Sequence, residues 1–128
     1  MRFDFEGLDT AVADKLMADL EAKLPTLNGK IYNGYTVSEA APFVYNDPVD
    51  HSSTQNGLIV KFADGSRIVY RLSGTGSSGA TLRVYLEKYE QNKLDEDPQK
   101  MLQPILEIAM DIAEITSRTG KQHADVIT

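Results

Sequence analysis

Leu8, Val12, Leu16, Leu20 and Leu24 recur every fourth residue, with Ala13 and Met17 widening the stripe and acids and lysines between them. That period predicts an amphipathic helix from about Thr10 to Leu24, apolar toward a core and charged toward solvent. Asp9 or Thr10 is placed to cap its first N–H groups, and Pro25 is expected to close it. From Ile31 to Val44 the pattern is mixed: Tyr32, Tyr35, Val37, Phe43 and Val44 suggest one strand, interrupted near Pro42. The polar run from Asn46 to Gly57 reads as a solvated loop.

The clearest local signal is a hairpin, Leu58 to Ala63 and Ser66 to Leu72, joined around Asp64-Gly65. Its turn follows from parity. A two-residue turn would put Arg67 and Arg71 on the same face as Leu58, Val60 and Phe62 and so bury cations. A three-residue turn with Gly65 left-handed pairs Phe62 with Ser66, Val60 with Ile68 and Leu58 with Tyr70. That register gathers the large apolar side chains, Leu72 included, on one face. The other face carries Lys61, Arg67 and Arg71 beside Ile59 and Val69.

Ala80 to Glu90 fits two periods, alternation through Leu82, Val84 and Leu86 or a helical spacing through Leu82, Tyr85, Leu86 and Tyr89. The strand is preferred, and it places Arg83 on the cationic face. Pro98 to about Thr119 reads as a long helix, with Asp97 as cap, Pro98 in the first turn and Gly120 as stop. Met101, Leu102, Ile105, Leu106, Ile108, Ala109, Ile112 and Ala113 give it a broad apolar face; Pro104 is expected to kink it or mark a break. The order predicts an α+β domain, with both helices on one side of an antiparallel sheet of three or four strands.

Composition adds limits. A chain of 128 residues with 41% hydrophobic and 25% charged residues fits one domain, residues 1–128, able to bury roughly two-thirds of its unfolded surface. The formal charge is −6 and the pI about 4.8. Such acidity argues against general nucleic-acid binding, which needs a broad cationic surface. No cysteine is present, so disulfides and thiolate metal sites are excluded. The first residues, Met1 to Glu6, lack the basic and apolar regions of an export signal, and no run is long enough to span a membrane. A cytoplasmic protein is expected.

Against that acidity, Arg71-Leu72-Ser73-Gly74-Thr75-Gly76-Ser77-Ser78-Gly79, followed by Arg83, is a concentrated anion-binding pattern. Glycines let the backbone turn tightly and bare its N–H groups, hydroxyls add donors, and the arginines supply fixed charge. A small phosphate group is the expected ligand. If Gly74-x-Gly76-x-x-Gly79 opened a helix it would match the dinucleotide fingerprint, with Glu96 or Asp97 as the ribose acid. Elsewhere Asp47, Asp50 and His51 match no metal-ligand spacing and are assigned to the solvated loop. His123 is expected at the surface.

Several blocks carry a family resemblance: Asp64-Gly65-Ser66-Arg67-Ile68-Val69, Arg71-Leu72-Ser73-Gly74-Thr75-Gly76-Ser77, Gly79-Ala80-Thr81-Leu82-Arg83 and Val126-Ile127-Thr128. Asn46-Asp47-Pro48-Val49-Asp50 and Asp97-Pro98-Gln99 extend it over nearly the whole chain. The chain resembles the C-terminal, fourth domain of the phosphoglucomutases, in the α-D-phosphohexomutase family. The resemblance implies a four-stranded antiparallel sheet flanked by two helices on one face, similar to the TATA-box-binding-protein fold. It also implies a parent isomerase that interconverts glucose 1-phosphate and glucose 6-phosphate, with Mg2+, a phosphoserine and a glucose 1,6-bisphosphate intermediate. Carried over by position, Arg71, Ser73, Gly74, Thr75, Gly76 and Arg83 would hold the hexose phosphate group that is not being transferred.

The departure from that family is large. Nothing here resembles its phosphoserine loop, its Asp-x-Asp-x-Asp magnesium site or its sugar-recognition loop. No catalytic or metal-binding residue is therefore assigned, and the fragment is expected to be inactive without the remaining domains of the parent enzyme. A non-enzymatic structural relative of that enzyme and a free-standing phosphate or nucleotide binder stand as alternatives. A helix directly after Gly79 would favour the nucleotide reading.

Overall fold

A computed structural model of the chain describes residues 1–45, 55–73, 79–88 and 98–128. The first strand, β1 (Arg2–Leu8), leads into helix α1 (Thr10–Leu27); a short hairpin, β2 (Ile31–Tyr32) and β3 (Tyr35–Tyr45), follows. Then come β4 (Gln55–Phe62), β5 (Arg67–Ser73) and β6 (Ala80–Glu87), helices α2 (Pro98–Ala113) and α3 (Ile115–Thr119), and a terminal β7 (Val126–Ile127). The fold is α+β. Among the described residues the strands form one seven-stranded sheet, ordered β2-β3-β4-β5-β6-β1-β7, with each neighbouring pair antiparallel.

The β4–β5 hairpin has the register that parity demanded. Val60 pairs with Ile68 and Leu58 with Tyr70, while Phe62 N–H donates to the Ser66 carbonyl at 2.8 Å. Gly65 takes φ 94°, a left-handed value that costs glycine little. The Asp64 carboxylate accepts from Ser66 N–H at 2.9 Å and braces the turn. β6 is likewise a strand, so the segment after Gly79 opens no helix and the dinucleotide fingerprint loses its structural requirement.

One face of the sheet is the core. Phe3, Phe5, Leu58, Val60, Ile68, Tyr70, Leu82 and Val84 are buried there against Leu16, Leu20 and Leu24 of α1 and Ile105, Ile108 and Ala109 of α2. The Tyr70 hydroxyl, fully buried, donates to the Ala109 carbonyl at 2.7 Å and ties β5 to α2. Burial also pushes its phenol pKa upward, so the hydroxyl keeps its proton.

The strand count exceeds the expected four for physical reasons. β1 hides its alternation, because Phe3 and Phe5 are buried but a bulge at Gly7, φ 66°, shifts the register before Leu8. Leu8 therefore belongs to a strand, although its spacing fits the α1 stripe. The stretch from Ile31 is split by Asn33 and Gly34, both at positive φ, as a two-residue hairpin turn requires. Pro42 does not interrupt β3. It lies beyond the reach of β2, at a sheet edge, where a missing donor is tolerated.

Two prolines fail to end helices. Pro25 lies inside α1, which runs on until Leu27 is buried, a gain of about 2 kcal/mol. The Asp9 carboxylate caps the start of α1, accepting from Ala11 and Val12 N–H. Pro104 lies inside α2, and the long C-terminal helix breaks instead at Glu114, φ 54°. Lys23 explains the site of the break. Its Nζ donates to the Ile112 carbonyl at 2.7 Å, capping the end of α2, and to Glu114 Oε2 at 3.1 Å. Arg118 completes the clasp by donating to Asp19 of α1 at 2.8 Å, and Gly120, φ 78°, stops α3. The expected Asp97 cap lies outside the described residues.

Two predictions follow from these contacts. Tyr70→Phe should lower stability by about 1 kcal/mol, read by urea denaturation, because it removes one buried hydrogen bond; an unchanged midpoint would contradict the tie to α2. The second concerns acid. Arg118 and then Lys15 hold the Asp19 carboxyl below its usual pKa, Lys23 does the same for Glu114, and the Glu6 N–H and Lys121 do so for Asp125. Lowered folded-state values mean that the unfolded chain binds more protons on acidification. The stability these groups contribute is complete above the ordinary carboxylate range and is lost as pH falls through their folded values. Tm should therefore drop below about pH 4, and Asp19→Asn should flatten the drop.

Candidate functional site

The face of the sheet opposite the helices is where the cations lie. Alternation along β4, β5, β6 and β1 puts Ile59, Lys61, Arg67, Val69, Arg71, Arg83, Tyr85, Arg2 and Asp4 there. Cross-strand pairing arranges them in rows. Gly57, Arg71, Arg83 and Asp4 form one row, Ile59, Val69, Tyr85 and Arg2 the next, and Lys61, Arg67 and Glu87 the third.

Ion pairs among the described residues of this face join Arg2 Nε with Asp4 Oδ1 at 3.0 Å, Lys61 with Glu39 at 3.6 Å, and Arg67 with Glu87. An open cavity of about 480 Å3 on this face is lined by Arg2, Arg67, Val69, Arg71, Tyr85 and Glu87, among others.

Arg71 and Arg83 sit directly opposite each other, one row from the end of the hairpin formed by β5 and β6. Two guanidinium side chains thus share one cross-strand pair, with Asp4 next in the same row. Both residues are only partly buried, as is Ser73, which faces Thr81 in the last pair before the connecting loop. The candidates Arg71, Ser73 and Arg83 are thus brought together at one end of β5 and β6. Gly74, Thr75 and Gly76 lie outside the described residues.

The far end of the loop is held tightly. Gly79 has φ 89°, and a Cβ there would stand 2.8 Å from the Leu8 carbonyl oxygen. Its backbone lies against the Gly7 bulge, so β1 fixes where the loop re-enters the sheet. Asp47, Asp50 and His51 fall outside the described residues, and His123 is exposed. Sequence reasoning missed Arg2 and Asp4. The available signal was the alternation Arg2-Phe3-Asp4-Phe5, which puts both charged groups on one face of a strand.

The model for the "Phosphoglucomutase-1, C-terminal domain" family matches residues 1–125. The chain belongs to that family. It is 46% identical over 136 residues to phosphoglucomutase-1 of Oryctolagus cuniculus, covering 99% of this chain and 24% of the relative. It is 44% identical over 133 residues to a phosphoglucomutase of Schizosaccharomyces pombe, again with 99% and 24% covered. Among solved structures, the open form of the exocytosis-sensitive phosphoprotein pp63/parafusin, a phosphoglucomutase from Paramecium, superposes with a TM-score of 0.77 at 38% identity. That match covers 99% of this chain and 22% of that one. The chain thus spans about a quarter of the length of these phosphoglucomutases, which are isomerases of carbohydrate metabolism.

The close approach at Gly79 gives a direct test of how this phosphoglucomutase C-terminal domain holds its loop. Gly79→Ala should cost about 1–3 kcal/mol in urea denaturation, since it combines a disfavoured φ with a backbone clash. Amide shifts should concentrate at Gly7, Leu8 and Ala80. Wild-type stability would show that the loop re-enters the sheet by another path.

Proposed function

We propose that residues 1–128 are a single domain, the C-terminal substrate-phosphate-binding domain of a phosphoglucomutase that interconverts glucose 1-phosphate and glucose 6-phosphate. The carrying observation is the Arg71–Arg83 pair, opposed across β5 and β6 beside the glycine-rich connection. Arg71, Ser73, Gly74, Thr75, Gly76 and Arg83 hold the hexose phosphate group that is not transferred. Guanidinium forks match phosphate oxygens two at a time, and loop N–H groups and hydroxyls complete the shell. The fold is of the TATA-box-binding-protein kind.

The contribution of such a domain is electrostatic positioning. An anchored phosphate leaves the hexose one way to lie, and the reacting end is presented to groups outside this chain. Mg2+ and glucose 1,6-bisphosphate belong to the parent reaction. Among the described residues no cluster of three or more His, Asp or Glu side chains is placed to hold a metal ion. Without the remaining domains the fragment is inactive as a mutase. A cysteine-free chain suits a reducing cytoplasm, and the acidic overall charge disfavours nucleic acid as a partner. No helix among the described residues is long and apolar enough to cross a membrane.

An NMR titration of the 128-residue chain with glucose 1-phosphate, glucose 1,6-bisphosphate and inorganic phosphate tests this reading. Shifts should concentrate at Ser73 to Gly76 and Arg83 and shrink as salt is added. Arg71→Ala should weaken binding by about tenfold or more, the scale of one charge-assisted hydrogen bond. Shifts confined to residues 47–51, or none at millimolar ligand with the fold intact, would sink the proposal.

A further inference from the structure

A carboxylate buried within a sheet needs compensating charge, because desolvation otherwise drives it out or neutralises it. Asp4 is such a group, 4% exposed and the one acid among the buried polar residues of the described chain. It lies on the cationic face of β1. Arg2 sits two residues earlier on the same face with Nε 3.0 Å from Asp4 Oδ1, and Arg83 is its partner across the β1–β6 ladder. β7 closes the other side, where Asp125 N–H donates to the Asp4 carbonyl at 2.8 Å.

The Arg2–Asp4 contact is an ion pair, not an aligned hydrogen bond. Arg2 Nε, Asp4 Oδ1 and Arg83 Nε are all buried with no aligned hydrogen-bond partner among the described residues. Of these three buried atoms, Arg2 Nε and Asp4 Oδ1 stand within ion-pair distance of each other, while Arg83 faces Asp4 across the ladder with no ion pair of its own among the described residues. The order across the row is Arg71, Arg83, Asp4, with the two positive charges on β5 and β6, the strands the loop joins, and the negative charge beside them on β1.

We propose that Asp4 is a positioning residue for Arg83: its carboxylate, the buried acid facing Arg83 across the ladder, orients the Arg83 guanidinium so that its fork meets a phosphate. This deepens the phosphate-binding reading and rests on it. Arg2, in the next row of β1, keeps the Asp4 carboxylate in place. Such an acid sits close to an anion site, and by simple charge it opposes the ligand. Its benefit is geometric, and that makes the two effects separable.

The test compares wild type, Asp4→Asn and Arg83→Lys by the Arg Nε–Hε signals of the 128-residue chain, without ligand and on titration with inorganic phosphate. Arg83→Lys identifies the Arg83 signal. In Asp4→Asn that signal should shift and exchange faster with water while backbone amides outside β1 and β6 stay put. Phosphate should bind about tenfold more weakly, the scale on which partners that orient a ligand-holding side chain act. Equal or tighter binding with an unmoved Arg83 signal overturns the positioning role, since that is the response to removal of a repelling charge alone.

The ligand-free signal separates this inference from the one beneath it. A chain whose Arg83 signal depends on Asp4 but which takes up no phosphate overturns the phosphate reading and leaves the coupling intact. Should Asp4→Asn unfold, Asp4→Glu keeps the charge and displaces it by one methylene. A shifted Arg83 signal with weaker phosphate binding then supports the positioning, and wild-type values for both overturn it.

Discussion

The register of the β4–β5 hairpin is the constraint on which both faces of this sheet depend. Phe62 and Ser66 close a three-residue turn, and everything beyond it inherits their parity. A slip of one residue would turn Ile68 and Tyr70 to the outside and drive Arg67 and Arg71 into the core. Gly65 makes the turn available, because a side chain at φ 94° would be strained. Asp64 stabilises it through the Ser66 N–H. β6 pairs with β5 and β1 with β6, so the arginine row and the apolar layer are both carried along from this one turn.

The helices act on the same sheet from the other side. α1 and α2 cover the apolar layer, and Tyr70 fixes α2 relative to the strand that also bears Arg71. The clasp of Lys23, Asp19, Glu114 and Arg118 joins α1 to the break between α2 and α3, at a distance from the cationic face in the fold. These exposed pairs are individually weak. Their role is to settle the angle of the C-terminal helices once the core has formed, and Lys23 does so by satisfying a helix-end carbonyl that would otherwise lack a partner.

Much of this was legible in the sequence where a wrong answer would have buried charge. The hairpin register follows from keeping arginines out of the core, while the strand from Ala80 follows from the alternation of Leu82, Val84 and Leu86, which then groups Arg83 with Arg71. Features with no such penalty were lost. The Gly7 bulge broke the alternation of β1, and Leu8 fitted the neighbouring helical stripe equally well. Pro104 is a stronger mark of a break than Glu114, yet the break follows the tertiary contact with Lys23, which no local pattern records. Asp4 was overlooked for a related reason: an acid between two phenylalanines is ordinary on a half-buried strand, and only the sheet order places it beside Arg83.

The opposition between an acidic chain and a cationic face has a physical resolution. The formal charge of −6 is spread over the whole chain, whereas Arg2, Lys61, Arg67, Arg71 and Arg83 share one side of one sheet with Asp4, Glu39 and Glu87. At physiological salt, charges beyond about 8 Å are largely screened. An anion that reaches the end of β5 and β6 therefore responds to the opposed arginines and very little to the acids on the helices. The same acids discourage anions elsewhere on the surface. On the proposed reading, a net acidic domain with one cationic face would favour small, highly charged groups that fit between two guanidinium forks over long polyanions that would have to lie across the rest of the surface.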